Sequence, residues 1–100
     1  MFYTNLKVLW ESAGEQNEYN DVQYGPAVAV HVRKQPKQEL VRLSNGREVL
    51  CRSIFYIDPR VDAQASSIKR LDKLDGETVE DTYIMCDRMN RPKLYRFITV

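Results

Sequence analysis

One histidine, His31, two cysteines, Cys51 and Cys86, and four glycines are a thin supply of the residue types from which most enzyme sites are built. A catalytic constellation gathers a nucleophile, a base or a metal in a cleft. With a single imidazole, no glycine-rich phosphate loop and neither cysteine in a reactive motif, the chain reads as a protein that is not an enzyme. A zinc site would need ligands beyond two cysteines and one histidine, so no metal or cofactor is expected. Long apolar runs are also missing. None approaches the roughly 18 residues of a membrane span, and residues 1–10 have neither the basic start nor the apolar stretch of a secretory leader. The expectation is a cytoplasmic chain with no membrane contact and two buried, unpaired thiols.

An excess of one charge is lacking too. Fifteen basic residues against fourteen acidic ones leave +1, and the balance holds in both halves of the chain. General nucleic-acid binding shows as a basic excess, so any contact with DNA would have to be local. A hydrophobic fraction of 43% argues against global disorder. One hundred residues form one domain, 1–100, with one core.

What the sequence has in abundance is two-residue periodicity. In residues 26–33, Val28, Val30 and Val32 fall on one face and Ala27, Ala29, His31 and Arg33 on the other. Residues 40–43 and 48–57 flank Ser44-Asn45-Gly46-Arg47, a hairpin signal that predicts a type I′ turn at Asn45-Gly46. Val49, Cys51, Ser53, Phe55 and Ile57 share one face of the second strand, and Leu50, Arg52, Ile54 and Tyr56 the other. Both faces are half apolar, so one meets the core and the other a neighbour. Asp58-Pro59 ends the strand. Residues 82–87 and 93–100 read as a second hairpin, and residues 3–10 as a first strand with Leu6, Val8 and Trp10 inward. Residues 60–74 read as a loop with at most one helical turn before a short strand and a turn at Asp75-Gly76. Residues 11–23 read as a polar, acidic loop or extended hairpin tip. The fold class is all-β: a small SH3-like β-barrel of five to six antiparallel strands with one or two long loops, or a sandwich.

Few residues stand out chemically. His31 alternates with valines and reads as structural. The acid pairs Glu80-Asp81 and Asp72 with Asp75 read as a solvated face. Arg33-Lys34-Gln35-Pro36-Lys37-Gln38 carries three cations and no acid. It reads as a turn between strands, or as a loop in which Arg33, Lys34 and Lys37 face a polyanion without reading its sequence. The ten aromatics are too dispersed for a base-stacking platform. Tyr19 and Tyr24, with Glu15 and Glu18 in the same polar stretch, are the candidates for contact with a partner.

The order of these features resembles a family. Leu9-Trp10, a polar loop with Gly14 and Tyr24-Gly25, the valine-rich run from Pro26 to Arg33, Leu40-Val41, Ser44-Asn45-Gly46-Arg47-Glu48-Val49 and Ser53-Ile54-Phe55-Tyr56-Ile57 follow one another as in the head-to-tail stopper (head-completion) proteins of long-tailed bacteriophages. Leu71-Asp72-Lys73-Leu74-Asp75-Gly76 is similar to that family's short Asp-x-Leu strand and turn, although the glycine expected just before Asp72 is replaced by Lys69-Arg70-Leu71. The resemblance implies a virion protein of the phage neck, made in the host cytoplasm. It would form a homo-oligomeric ring beneath the portal and adaptor proteins. That ring would close the DNA channel after packaging, with non-specific contact to DNA, and dock the tail or tail-terminator proteins. The competing readings are another head–tail component, such as a tail terminator or a decoration protein, and a small nucleic-acid-binding barrel.

Overall fold

The period-two stretches become strands. A computed structural model describes residues 6–16, 22–43 and 45–100. These form β1 (Leu6–Glu11), β2 (Ala13–Gln16), β3 (Val22–Tyr24), β4 (Val28–Arg42), β5 (Glu48–Ile57), β6 (Lys73–Leu74), β7 (Glu77–Cys86) and β8 (Pro92–Thr99), with one 3-10 turn at Ala63–Ser67. Six strands close a barrel in the order β1-β4-β5-β8-β7-β6, while β2 and β3 pair as a separate hairpin. All the pairings are antiparallel. The choice between barrel and sandwich thus falls to the barrel, whose closure removes most of the exposed strand edge.

Inward-facing residues fill it. Val8, Val30, Val32, Phe55, Ile57, Leu74, Val79, Tyr95 and Phe97 form the main core, with Ala65 and Ile68 of the 3-10 segment packed on it and Trp10 at its margin. Phe55 and Phe97 are wholly buried, each contributing about 1.5–3 kcal/mol by the usual transfer scale. Tyr95 and Phe97 stack with ring centroids 6.3 Å apart. Two members of the expected inward faces lie outside this core. Leu6 is 46% exposed, because β6 flanks β1 only at Trp10 and Glu11 and leaves the start of β1 with β4 as its one neighbour. Val28, the first residue of β4, is also exposed. Tyr3 lies outside the described residues.

The strand read over residues 48–57 matches β5, but β4 runs on where a turn was expected. Residues 33–39 belong to one 15-residue strand, and the proline is absorbed by a register shift between Pro36 and Glu39. A bulge tolerates a residue that cannot donate to the ladder. Beyond it, Leu43, Cys51, Ile54 and Ile98 form a second buried cluster, with Val41, Val49 and Tyr56 packed against it. Arg47 in the hairpin turn lies 3.7 Å from Glu80 of β7. The cover that Ile54 needs on the outer face therefore comes from the chain's own β4–β5 hairpin.

The turns sort by backbone geometry. Gly46 takes φ +87°, its N–H donates to the Leu43 carbonyl, and Leu43 N–H donates to Arg47. This is a three-residue loop with its glycine in the left-handed region, in place of the expected type I′ turn. The β7–β8 turn repeats the pattern: Asn90 has φ +60°, Asn90 N–H donates to Asp87, and Asp87 N–H to Arg91. The two-residue turn with both φ angles positive is instead Asp75 (+54°) and Gly76 (+76°), between the paired Leu74 and Glu77. The reading of residues 60–74 as a loop with one helical turn and a short strand agrees with the 3-10 turn and β6.

Candidate functional site

Three places in the barrel concentrate polar chemistry. The first is Asp72, read as part of a solvated face but 2% exposed. Its Oδ2 accepts from the Trp10 indole Nε1–H at 2.9 Å and from the Lys69 N–H at 2.8 Å, and its Oδ1 accepts from the Ala13 N–H at 2.8 Å. One carboxylate thus joins β1, the root of the β2–β3 hairpin and the segment before β6. Burial of a charge is tolerated when its oxygens are bonded in this way. Leu71 beside it has φ +77°, a conformation that costs a leucine about 1–2 kcal/mol. The backbone bonds from Leu71 N–H to Val79 and from Val79 N–H to Asp72 hold it there.

The second place holds one of the cations assigned to a polyanion-facing loop. Continuity of β4 puts Lys34 on the same face as Val30 and Val32, so it points into the barrel mouth and not outward. Its Nζ lies 2.8 Å from Asp75, 2.9 Å from Glu77 and 5.6 Å from the Phe55 ring centroid. The Asp75 and Glu77 carboxylates raise its pKa above the ordinary value, although burial works against them. At Glu77 burial is the largest single influence and favours the neutral acid. Bonds from Lys34, Thr99 and Ser53 together outweigh it and hold the carboxyl below its ordinary value. Lys37 pairs with Glu39 at 3.1 Å, and Arg33 is exposed. The segment is strand, and Lys34 and Lys37 are paired with carboxylates of the same chain.

Of the partner-contact candidates, Tyr24 is half-buried against its own chain. Its hydroxyl lies 3.4 Å from the Leu71 carbonyl, and Lys73 Nζ sits 4.5 Å from its ring centroid. Glu15 is in β2, while Glu18 and Tyr19 lie outside the described residues. The His31 backbone N–H donates to Asp62 at 3.0 Å, and its half-exposed imidazole has Nδ1 3.8 Å from the same carboxylate. Cys51 and Cys86 are both unpaired, but only Cys51 is buried. Burial pushes its thiol above the ordinary value, which makes it a poor nucleophile at neutral pH. It borders an open cleft of about 280 Å³ together with Gln38, Leu50, Arg52 and Val100. Among the described residues, no group of three or more metal-ligating side chains occurs and no helix is long and apolar enough to cross a membrane.

The third place was not singled out by sequence reasoning. β6 covers only the first two residues of β7, and β5 pairs with β8 only from Tyr95 onward. The β7–β8 turn and the residues beside it therefore project as a two-stranded ribbon. Tyr83, Ile84, Met85 and Met89 on it are exposed, Met89 at 72%, and so are Arg88, Arg91 and Lys93. Tyr83, Ile84, Met85 and Cys86 are a consecutive apolar run, a pattern that a strand covered on both faces also shows. The ribbon projects because β6 is short and β5 pairs with β8 no further than Tyr95, and neither limit is written in residues 82–94. No protein-family model, curated protein or solved structure matches this chain.

Proposed function

We propose that the protein is a structural component of a tailed-phage neck, a stopper that forms a ring beneath the portal and adaptor, closes the DNA channel after packaging and docks the tail. The observation that carries this reading is the Asp72 junction. The tryptophan of the first strand and the aspartate of the Asp-x-Leu element, two features on which the family resemblance rests, are joined by a 2.9 Å hydrogen bond. The position just before that aspartate, where the resemblance calls for glycine, has the positive φ that glycine favours. The closed barrel and its exposed apolar ribbon fit a protein that works by packing against other proteins. Lys34 is held between Asp75 and Glu77 within the barrel mouth, so in this role it does not contact DNA, whereas the Lys37–Glu39 pair is at the surface.

The test is electron microscopy of particles assembled without this protein, scored for DNA content and tails. Heads that are tailless and emptied of DNA are the expected result. Full, tailed particles would overturn the stopper role and favour a decoration protein. DNA-filled heads bearing tails of abnormal length would favour a tail terminator.

A further inference from the structure

Four neighbouring strands carry one row of arginine and tyrosine across the outer wall of the barrel. Arg33 of β4 is the register partner of Tyr56 of β5, Tyr56 of Arg96 of β8, and Arg96 of Tyr83 of β7. Register partners share a face of the sheet. Their chain neighbours Val32, Phe55, Ile57, Tyr95 and Phe97 belong to the core, so the row points outward. Arg33 and Tyr83 are exposed, and Tyr56 and Arg96 are half-buried. The Arg96 guanidinium carbon lies 5.1 Å from the Tyr83 ring centroid, and its buried Nε has no hydrogen-bond partner among the described residues. The ring holds this guanidinium in place by a cation–π contact.

Positive charge continues from the row along the β7–β8 ribbon. Residues 82–96 contain Arg88, Arg91, Lys93 and Arg96 against Asp87 alone. Asp87 is committed to its own turn: Oδ1 accepts the Met89 and Arg91 N–H groups, and Oδ2 is 3.4 Å from Arg91 Nε. The carboxylates flanking the row are bonded within the chain too. Asp58, beyond Tyr56, pairs with Arg60 at 2.9 Å, and Asp81, before Tyr83, accepts the Thr82 N–H.

From this placement we infer that the outer wall from Arg33 through Arg96 to the β7–β8 tip binds the phosphate backbone of duplex DNA. At about 4.8 Å per strand and about 3.4 Å per residue, the five cations are strung over roughly 25 Å. A line of charge suits a linear polyanion, which carries one phosphate per about 3.4 Å of axis on each strand. Arginine and tyrosine hydroxyl donors reach phosphate oxygens without reading sequence, and because Arg96 lies over Tyr83 that ring orients a cation in place of stacking a base. The contact is local, as a total of only +1 requires. Ile84 alternates with Tyr83 and faces the other side of the ribbon, so protein packing there does not compete. The inference rests on the neck reading only in taking the duplex to be the packaged genome.

Fluorescence anisotropy of a labelled mixed-sequence duplex with the whole chain tests it, run from about 50 to about 200 mM salt. Five phosphate contacts give an expected slope of about −4.5 in log K against log salt, at about 0.9 per contact. Arg33→Gln/Arg88→Gln/Lys93→Gln leaves Arg91 and Arg96, so the slope should fall to about −2 and the affinity at low salt by at least about tenfold. Arg42→Gln/Arg52→Gln removes exposed cations from the β4–β5 hairpin at the opposite end of the barrel and should stay within about twofold of the wild type. Circular dichroism checks each fold, and Arg88→Gln/Lys93→Gln, confined to the ribbon, replaces the triple variant if that unfolds, with a slope of about −3. No binding at low salt, a wild-type slope in the substituted protein, or an equal loss in the hairpin control would each overturn the assignment. So would tighter binding of a single strand of the same sequence, which would make the tyrosines a base-stacking surface. Competition by polyglutamate as strong as by unlabelled duplex would also overturn it, in favour of an acidic protein partner. Failure here together with empty, tailless heads in the particle experiment would leave the neck role standing without this contact.

Discussion

Leu71 holds a backbone conformation that glycine takes without steric cost, at φ +77° and 39% exposed. Replacing it with glycine relieves the clash between Cβ and the carbonyl while loosening the unfolded chain, and the first effect is the larger. Leu71→Gly should therefore raise stability by about 0.5–1 kcal/mol in urea unfolding, with the midpoint moving and the slope unchanged. A destabilised variant would mean that the half-exposed leucine side chain contributes more by packing than its backbone loses by strain. Asp72 is the companion case of a residue whose neighbours in sequence say nothing about its surroundings. Its indole partner is 62 positions away, and only the closed barrel brings the two together.

At the scale of the element, local patterns were legible and their joins were not. Alternation located β5 to the residue, and the Asp75-Gly76 turn was readable because both positions suit positive φ. Pro36 misled, since a proline marks a break only if the register is regular, and here a bulge absorbs it. Lys34 misled for the same reason: once the strand is continuous, parity sends the side chain inward. The β7–β8 ribbon was legible as a hairpin, but its projection depends on how short β6 is. Among the described residues of the Asn45-Gly46 loop, Gly46 alone is left-handed, with open space around the missing Cβ. Gly46→Ala should cost about 1 kcal/mol from backbone strain alone. Asn90→Gly, at the equivalent position of the other hairpin, should be neutral or slightly stabilising. Thermal unfolding of the two variants side by side checks the pair. An Ala at 46 as stable as wild type would show that the hairpin can switch turn type without penalty.

For the whole molecule, the Lys34–Asp75–Glu77 group ties β4 to the turn between β6 and β7 across the barrel mouth. The Glu77 carboxyl titrates below its ordinary 4.5, so its contribution is complete above that value and is lost as pH falls through the lowered one. Lys34 titrates above its ordinary 10.5, so its contribution is complete below that value and is lost as pH rises through the raised one. Melting temperature should therefore be flat between these limits and fall on both sides. In Glu77→Gln the acid limb should be shallower, and in Lys34→Met the alkaline limb. An unchanged acid limb in Glu77→Gln would place the acid sensitivity in other carboxylates.

The two-pair seam between β1 and β6 has a kinetic consequence. The β4–β5, β6–β7 and β7–β8 hairpins each join neighbours in sequence, so each can form on its own within microseconds. The seam, made of Trp10 with Leu74 and Glu11 with Lys73, must draw together the two ends of a chain segment more than sixty residues long. It carries the longest loop-closure entropy in the barrel for the fewest ladder bonds. Closure of the seam and its Trp10–Asp72 bond is therefore expected to come late in folding, and the seam to be where the barrel opens first.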